Sequence, residues 1–128
     1  MTTPTTPDEH DQREATTFTP LLRASSEPRW ERLRSRLGKE GIEPEDVAVG
    51  TLFPDDPSME FGVVVSKDGR AFAFDFDFLK DPQGNRISSR ADAWVVNFRR
   101  LSNEERETYE RPIRTALWFL SREGATSE

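Results

Sequence analysis

Three carboxylates are the residues of this sequence whose types and spacing could do chemistry. They lie in or next to two neighbouring segments that show the two-residue alternation of β-strands. Glu60 comes just before one segment, and Asp75 and Asp77 lie within the next. If the segments pair as strands, such side chains lie about 4.5–5.5 Å apart at Cβ and repel one another unless positive charge compensates. Four compensations are open: solvent screening, an internal ion pair with Arg99, a cationic side chain of a protein partner, or a hard divalent cation.

These carboxylates do not indicate catalysis. A general acid–base pair requires a cleft in which one carboxyl is desolvated, whereas the pattern predicts a small-residue sheet face without a lid. The sequence has no cysteine, and its one histidine, His10, lies in a polar N-terminal segment. Thiolate nucleophiles, Cys-ligated metals and His-based triads are therefore excluded, and a calcium-type site needs more oxygen ligands than the pattern supplies. We expect no enzymatic activity, no cofactor and no metal.

The segments that hold the carboxylates form the clearest pattern in the chain. Residues 61–66 and 71–78 alternate, and Asp68-Gly69 between them is typical of a two-residue type I′ hairpin turn. With Lys67 opposite Arg70, one face of the hairpin becomes apolar throughout, as a correct register requires. The predicted pairs are Val65 with Phe72, Val63 with Phe74, Phe61 with Phe76 and Met59 with Phe78.

The opposite face of this hairpin is predicted to be small at one end and acidic at the other. Its pairs are Ser66 with Ala71, Val64 with Ala73, Gly62 with Asp75 and Glu60 with Asp77. A flat face of this kind permits docking of a partner or self-association, although open sheet faces are often simply solvated. A turn over residues 54–58 adds two acids at the end of the sheet. The candidate partner-binding residues are Glu60, Asp75, Asp77, Asp55, Asp56, Gly62 and Ala73.

The remaining segments predict an α+β fold. Alternation over residues 47–53 and 93–99 adds two strands, which gives a four-stranded antiparallel meander. One helix begins after Ser26 and ends near Gly41. A second begins at the capping-box pattern Ser102 to Glu105, is kinked or restarted near Pro112, and ends at Gly124. We expect the N-terminal and C-terminal helices to pack together on the Phe-bearing face, in two layers.

The domain boundaries follow from composition. Residues 1–25 are rich in Thr, Pro and acids and are predicted to be a disordered tail, although the apolar group Phe18, Leu21 and Leu22 could dock on the domain. Residues 26–123 form the single predicted domain. Residues 124–128 are predicted to be a disordered C-terminus.

Charge gives the class of partner. The net charge is −6, from 24 acidic and 18 basic residues, which disfavours nucleic acid and anionic membranes as ligands. The sequence has no secretory leader pattern and no apolar run of about 18 residues, so we expect a cytoplasmic location. The leading hypothesis is a small acidic protein-binding module, such as a bacterial inhibitor or immunity-type protein that masks a basic surface. The alternative is an assembly adaptor that self-associates through the small-residue face.

Overall fold

A four-stranded antiparallel sheet forms the centre of the computed structural model, which describes residues 6–51, 61–78, 83 and 94–126. The strands are β1 (Val47–Thr51), β2 (Phe61–Ser66), β3 (Ala71–Phe78) and β4 (Trp94–Arg100). They lie in the order β1-β2-β3-β4. The predicted α+β class and meander order are therefore confirmed.

Four helices flank the sheet: α1 (Glu9–Ala24), α2 (Pro28–Lys39), α3 (Asn103–Thr108) and α4 (Glu110–Thr126), with a 3-10 turn over Pro44–Asp46. The predicted capping box opens α3, because Ser102 Oγ accepts from Glu105 N at 3.2 Å and Glu105 Oε1 accepts from Ser102 N at 3.1 Å. A new helix, α4, begins at Glu110, which puts Pro112 in the first turn, where its missing N–H is tolerated. Helix α4 continues past Gly124, the predicted end of the helix, to Thr126. A helical glycine costs only about 1 kcal/mol.

Helix α1 occupies most of the segment predicted to be a disordered tail, so over residues 9–24 the structure differs from that prediction. Asp8 caps the helix, because its Oδ1 accepts from Asp11 N at 2.9 Å. Ala15, Phe18 and Leu22 recur on one side and are buried. Helix α1 therefore belongs to the core through tertiary burial, which its threonine-rich composition concealed. Phe18 and Leu22 pack in the core, with Leu21 against it, which is the docking that composition left open as the less favoured reading. Residues 1–5 lie outside the described residues.

The hairpin between β2 and β3 closes through three residues rather than two. Ser66 N donates to Arg70 O, and Gly69 N donates to Ser66 O, both at 2.9 Å. Gly69 has φ +92°, as the left-handed position of a three-residue hairpin loop requires. Ser at the first and Gly at the fourth position favour a type I turn, a signal that the Asp-Gly pair concealed.

The predicted register of β2 is consequently wrong by one residue. Val64 lies opposite Phe72, and Val63 lies opposite Ala73. Because strand side chains alternate, a slip of one residue turns the whole strand over. Gly62 therefore lies opposite Phe74 on the Phe-bearing face and does not share a face with Ala73. The predicted pairs that involve Met59 and Glu60 lie outside the described residues.

Helices cover both faces of the sheet, which corrects the prediction that both terminal helices pack on one face in two layers. Helices α1 and α2 cover the Phe-bearing face, where Phe18, Leu22, Trp30, Leu33 and Leu37 pack with Val49, Val64, Phe72, Phe74 and Phe76. Helix α4 covers the small-residue face, where Ile113, Ala116 and Leu120 pack with Ala48, Val63, Val65, Ala71 and Ala73. The Phe-bearing face is already occupied by α1, and the small residues of the other face leave room for a closely packed helix.

The contact between β1 and α4 shows how close this packing is. A Cβ atom on Gly50 would lie 2.0 Å from the backbone oxygen of Pro112, well inside any allowed contact. Gly50 therefore permits the start of α4 to rest directly on the backbone of β1.

Candidate functional site

The structure brings together only part of the predicted acidic group. Asp55, Asp56 and Glu60 lie outside the described residues. Asp77 lies in β3 opposite Val95, and Asp75 is partly exposed two positions earlier.

The two small residues of the predicted site are both buried. Gly62 is buried on the Phe-bearing face, and Ala73 retains 4% of its accessible surface on the other face. Neither forms part of the open, flat surface that the sequence predicted.

Asp75 and Ala73 nevertheless line one cleft, which we call the Asp75 cleft. It has a volume of about 310 Å³ and lies where β3 and β4 extend beyond the cover of α4. Its lining on the α4 side of the sheet comprises Phe61, Ala73, Asp75, Asn97 and Arg99, and Arg36, Phe74, Val96 and Phe98 line it from the α2 side.

Within this cleft, Asp75 is oriented by a neutral side chain. Asn97 lies directly opposite it on β4, and Asn97 Nδ2 donates to Asp75 Oδ1 at 2.6 Å. This bond fixes one carboxylate oxygen and leaves the negative charge in place.

The cation predicted to neutralise Asp75 is engaged elsewhere. Arg99 lies opposite Ala73 and so shares the face of Asp75, as expected, but it pairs with Glu105 of α3. The pKa of Glu105 lies below its usual range because the Ser102 backbone N–H and Arg99 stabilise the carboxylate. Among the described residues, no cation forms an ion pair with Asp75. Sequence reasoning missed the Arg99–Glu105 pair because it depends on where α3 folds back after β4.

The outer edge of β4 is a second feature of this region. Leu101 N donates to Ala71 O, and antiparallel hydrogen bonds alternate along a strand. Asn97 and Arg99 therefore direct their backbone groups toward β3, whereas Val96 and Phe98 direct theirs away from it. Within the part of the chain that the structure describes, no group pairs with this outer edge. The predicted meander already placed β4 at an edge, so topology could have indicated the site.

Two guanidinium groups lie on the α2 side of this edge. Arg36 lies over the ring of Phe98, 5.4 Å from its centroid. Arg100 is exposed and lies opposite Phe72, which puts it on the same face as Phe98. In the described ranges, neither guanidinium forms an ion pair, so these two residues contribute two positive charges to this side of the edge.

Neither a metal-binding group nor a membrane-spanning helix is found among the described residues. No group of three or more histidine, aspartate or glutamate side chains there is arranged to hold a metal ion. No helix in those ranges combines the length and apolarity needed to cross a membrane.

Comparisons with known proteins find no relative of this chain. No protein-family model matches it. No curated protein and no solved structure matches it either. Only the geometry and charge of the site therefore indicate a function.

Proposed function

We propose that this chain is a small acidic protein-binding module that accepts a cationic side chain of a partner protein at Asp75 and thereby masks a basic surface. One observation carries the proposal: Asp75 lies in a cleft and is oriented by Asn97, while Arg99 is held by Glu105. The proposal assigns binding and no catalysis to the cleft, and it retains a cytoplasmic location.

The geometry suits an arginine or lysine of the partner. The Asp75 carboxylate keeps lone pairs free for a charge-assisted hydrogen bond, which is about twice as strong as a neutral one. Partial burial strengthens such a pair relative to one on an open surface. Phe61 and Ala73 supply apolar walls against which the methylene stem of a long cationic side chain can pack.

The charge of the whole chain supports the same class of partner. A net charge of −6 attracts a basic protein over a distance of about 10 Å at moderate salt and raises the association rate. An inhibitor or immunity-type protein that covers a basic surface of an enzyme or toxin is one form that this function could take.

The alternative function, self-association, was assigned to the small-residue face of the sheet, and a helix covers that face. In the described residues, α4 covers that face, and Val63, Val65 and Ala71 on it have no exposed area. A self-associating adaptor would have to use another part of the molecule.

Affinity capture from the native host with three baits tests the proposal. The baits are the wild type, Asp75→Asn, and Glu107→Gln, which makes the same change of charge on an exposed residue of α3. We expect wild type and Glu107→Gln to capture a basic protein that Asp75→Asn loses. With the purified partner, Asp75→Asn should weaken binding about 10- to 150-fold, as for a charged hydrogen bond of about 1.5–3 kcal/mol. Capture of the same proteins by all three baits, or of none, would contradict the proposal.

A further inference from the structure

The outer edge of β4 borders the Asp75 cleft and determines what kind of segment can enter it. We infer that the partner contributes an extended segment that pairs antiparallel with β4 as a fifth strand. The inference rests on the proposed function, because it explains how a cationic side chain is delivered to Asp75.

The outward backbone groups of β4 have the orientation that such pairing requires. Val96, Phe98 and Arg100 alternate with the residues bonded to β3, so their N–H and C=O groups point outward. Within the described ranges, these groups have no partner. An edge of this kind is a template for an added strand, in which the main chain provides affinity and alternate side chains provide specificity.

On the α4 side of the sheet, the added strand lies beside Asn97 and Arg99. Asp75 is two strands away, at about 10 Å or twice the strand spacing. An extended arginine or lysine opposite Asn97 can cross this gap to the carboxylate. Glu105 neutralises Arg99, so the neighbouring guanidinium repels the incoming cation only weakly.

On the α2 side, the same strand meets different chemistry. Its alternate side chains lie beside Val96 and Phe98, which are partly buried, and near the guanidinium groups of Arg36 and Arg100. Apolar or acidic residues fit this side. The segment is therefore one in which cationic residues alternate with apolar or acidic residues.

A second copy of this chain fits the edge less well. Antiparallel pairing of two β4 strands would bring Arg36 and Arg100 of both copies to the same side of the joined sheet. The resulting repulsion between like charges favours a partner segment that carries acids there.

Three versions of one peptide test the inference. The parent is acetyl-Lys-Val-Lys-Glu-Lys-Val-Lys-amide. The first methylated version carries N-methyl groups on the Val and Glu nitrogens, which face β4 in antiparallel pairing; the second carries them on the inner Lys nitrogens, which face away. Titration calorimetry should show at least a tenfold loss of affinity for the first, because each lost hydrogen bond contributes about 1 kcal/mol. The second should bind within about threefold of the parent.

A variant of this chain tests the same main-chain pairing by changing β4 instead of the peptide. Val96→Pro removes one outward N–H at an edge position where proline is tolerated, and Val96→Ala keeps that N–H while shortening the side chain. We expect Val96→Pro to lose at least tenfold in affinity for the parent peptide and Val96→Ala to stay within threefold. Circular dichroism establishes that both variants are folded, and the methylated peptides decide the question if Val96→Pro is not.

The outcomes separate this inference from the proposed function. If Asp75→Asn weakens binding while both methylated peptides bind like the parent, strand addition is wrong and the role of Asp75 stands. If Asp75→Asn has no effect while methylation of the facing nitrogens does, the edge site stands and the role of Asp75 is wrong. Failure of the parent peptide to bind at millimolar concentration, or a wild-type dimer that Val96→Pro dissociates, overturns the inference.

Discussion

The two outer edges of the sheet differ in what covers them. At β1, Val49 N donates to Thr19 Oγ1 at 3.0 Å, and Val47 O accepts from Arg23 Nη2 at 2.9 Å. Both side chains belong to α1. At β4, the corresponding outward groups have no partner in the described residues. The comparison shows that two side chains on one helix can close a strand edge that would otherwise be open to pairing, whereas no described residue closes the edge of β4 in this way.

Helix α1 keeps its position through contacts with α4 as well as with the sheet. Arg111 Nε donates to Asp11 Oδ2 at 2.7 Å and Arg111 Nη2 donates to Asp11 Oδ1 at 3.0 Å, with Asp11 buried. Near the other end of α1, Arg23 Nη2 donates to Glu123 Oε1 at 2.7 Å. The cover of the β1 edge is thus fastened at both of its ends.

The largest effect should follow from loosening α1. Leu22 of α1 is fully buried. Leu22→Ala should lower the free energy of unfolding by about 2–5 kcal/mol, because apolar burial is lost and a cavity is left. Urea unfolding measures the loss. Hydrogen exchange at the Val49 amide should also accelerate, because the β1 edge then resembles that of β4.

Leu117→Ala is the matched control for this experiment. Leu117 lies on α4 and is 42% exposed, so its truncation should change stability by no more than about 0.5 kcal/mol. A loss equally small for Leu22→Ala would show that α1 is not part of the core and that the β1 edge is open.

A smaller effect should follow from removing a single bond at the covered edge. Thr19→Val keeps the shape of the buried side chain but leaves the Val49 N–H without an acceptor. It should therefore lower the free energy of unfolding by about 1–3 kcal/mol. Thr16→Val is the control, since Thr16 is exposed and its hydroxyl donates only to Gln12 O within α1. Equal unfolding free energies for the two variants would mean that Thr19 does not protect the edge.

The smallest expected effect depends on pH. The hydrogen bonds from Arg23 lower the pKa of Glu123, so the ionised carboxylate stabilises the folded chain above the ordinary glutamate pKa of about 4.3. This contribution should be lost as the pH falls below that value through the lowered pKa of the folded state. The difference in unfolding free energy between wild type and Glu123→Gln should therefore shrink from pH 7 to pH 3. A difference that is constant with pH would contradict an ionic role for this contact.

The strands show which parts of the fold can be predicted from the sequence. In β3 and β4, aromatic or aliphatic residues alternate with small or polar ones, and the predicted faces of Phe72, Phe74 and Phe98 are confirmed. In β2, Val63, Val64 and Val65 are apolar on both faces, so the pattern does not select a register. The turn selects it, and a three-residue turn was mistaken for a two-residue turn.

The site shows a different limit. The position of Asp75 on the face that also carries Arg99 could be predicted, because side chains alternate between the two faces along a strand. The ion-pair partner of Arg99 could not be predicted, because Glu105 comes close to Arg99 only when α3 folds back after β4. Helix α1 was missed for a related reason: its few apolar residues gain stability only when they pack on a sheet formed from residues that follow it in the chain.

The ion pairs of α1 also bear on the order in which the chain can fold during its synthesis. Asp11 and Arg111 are separated by 100 residues, as are Arg23 and Glu123. The ribosome therefore releases the covering helix long before it releases the residues that fasten it. Until α4 has emerged, the helix that covers the β1 edge lacks both ion pairs that fasten it, so this edge is more open to pairing with other chains than it is in the folded protein.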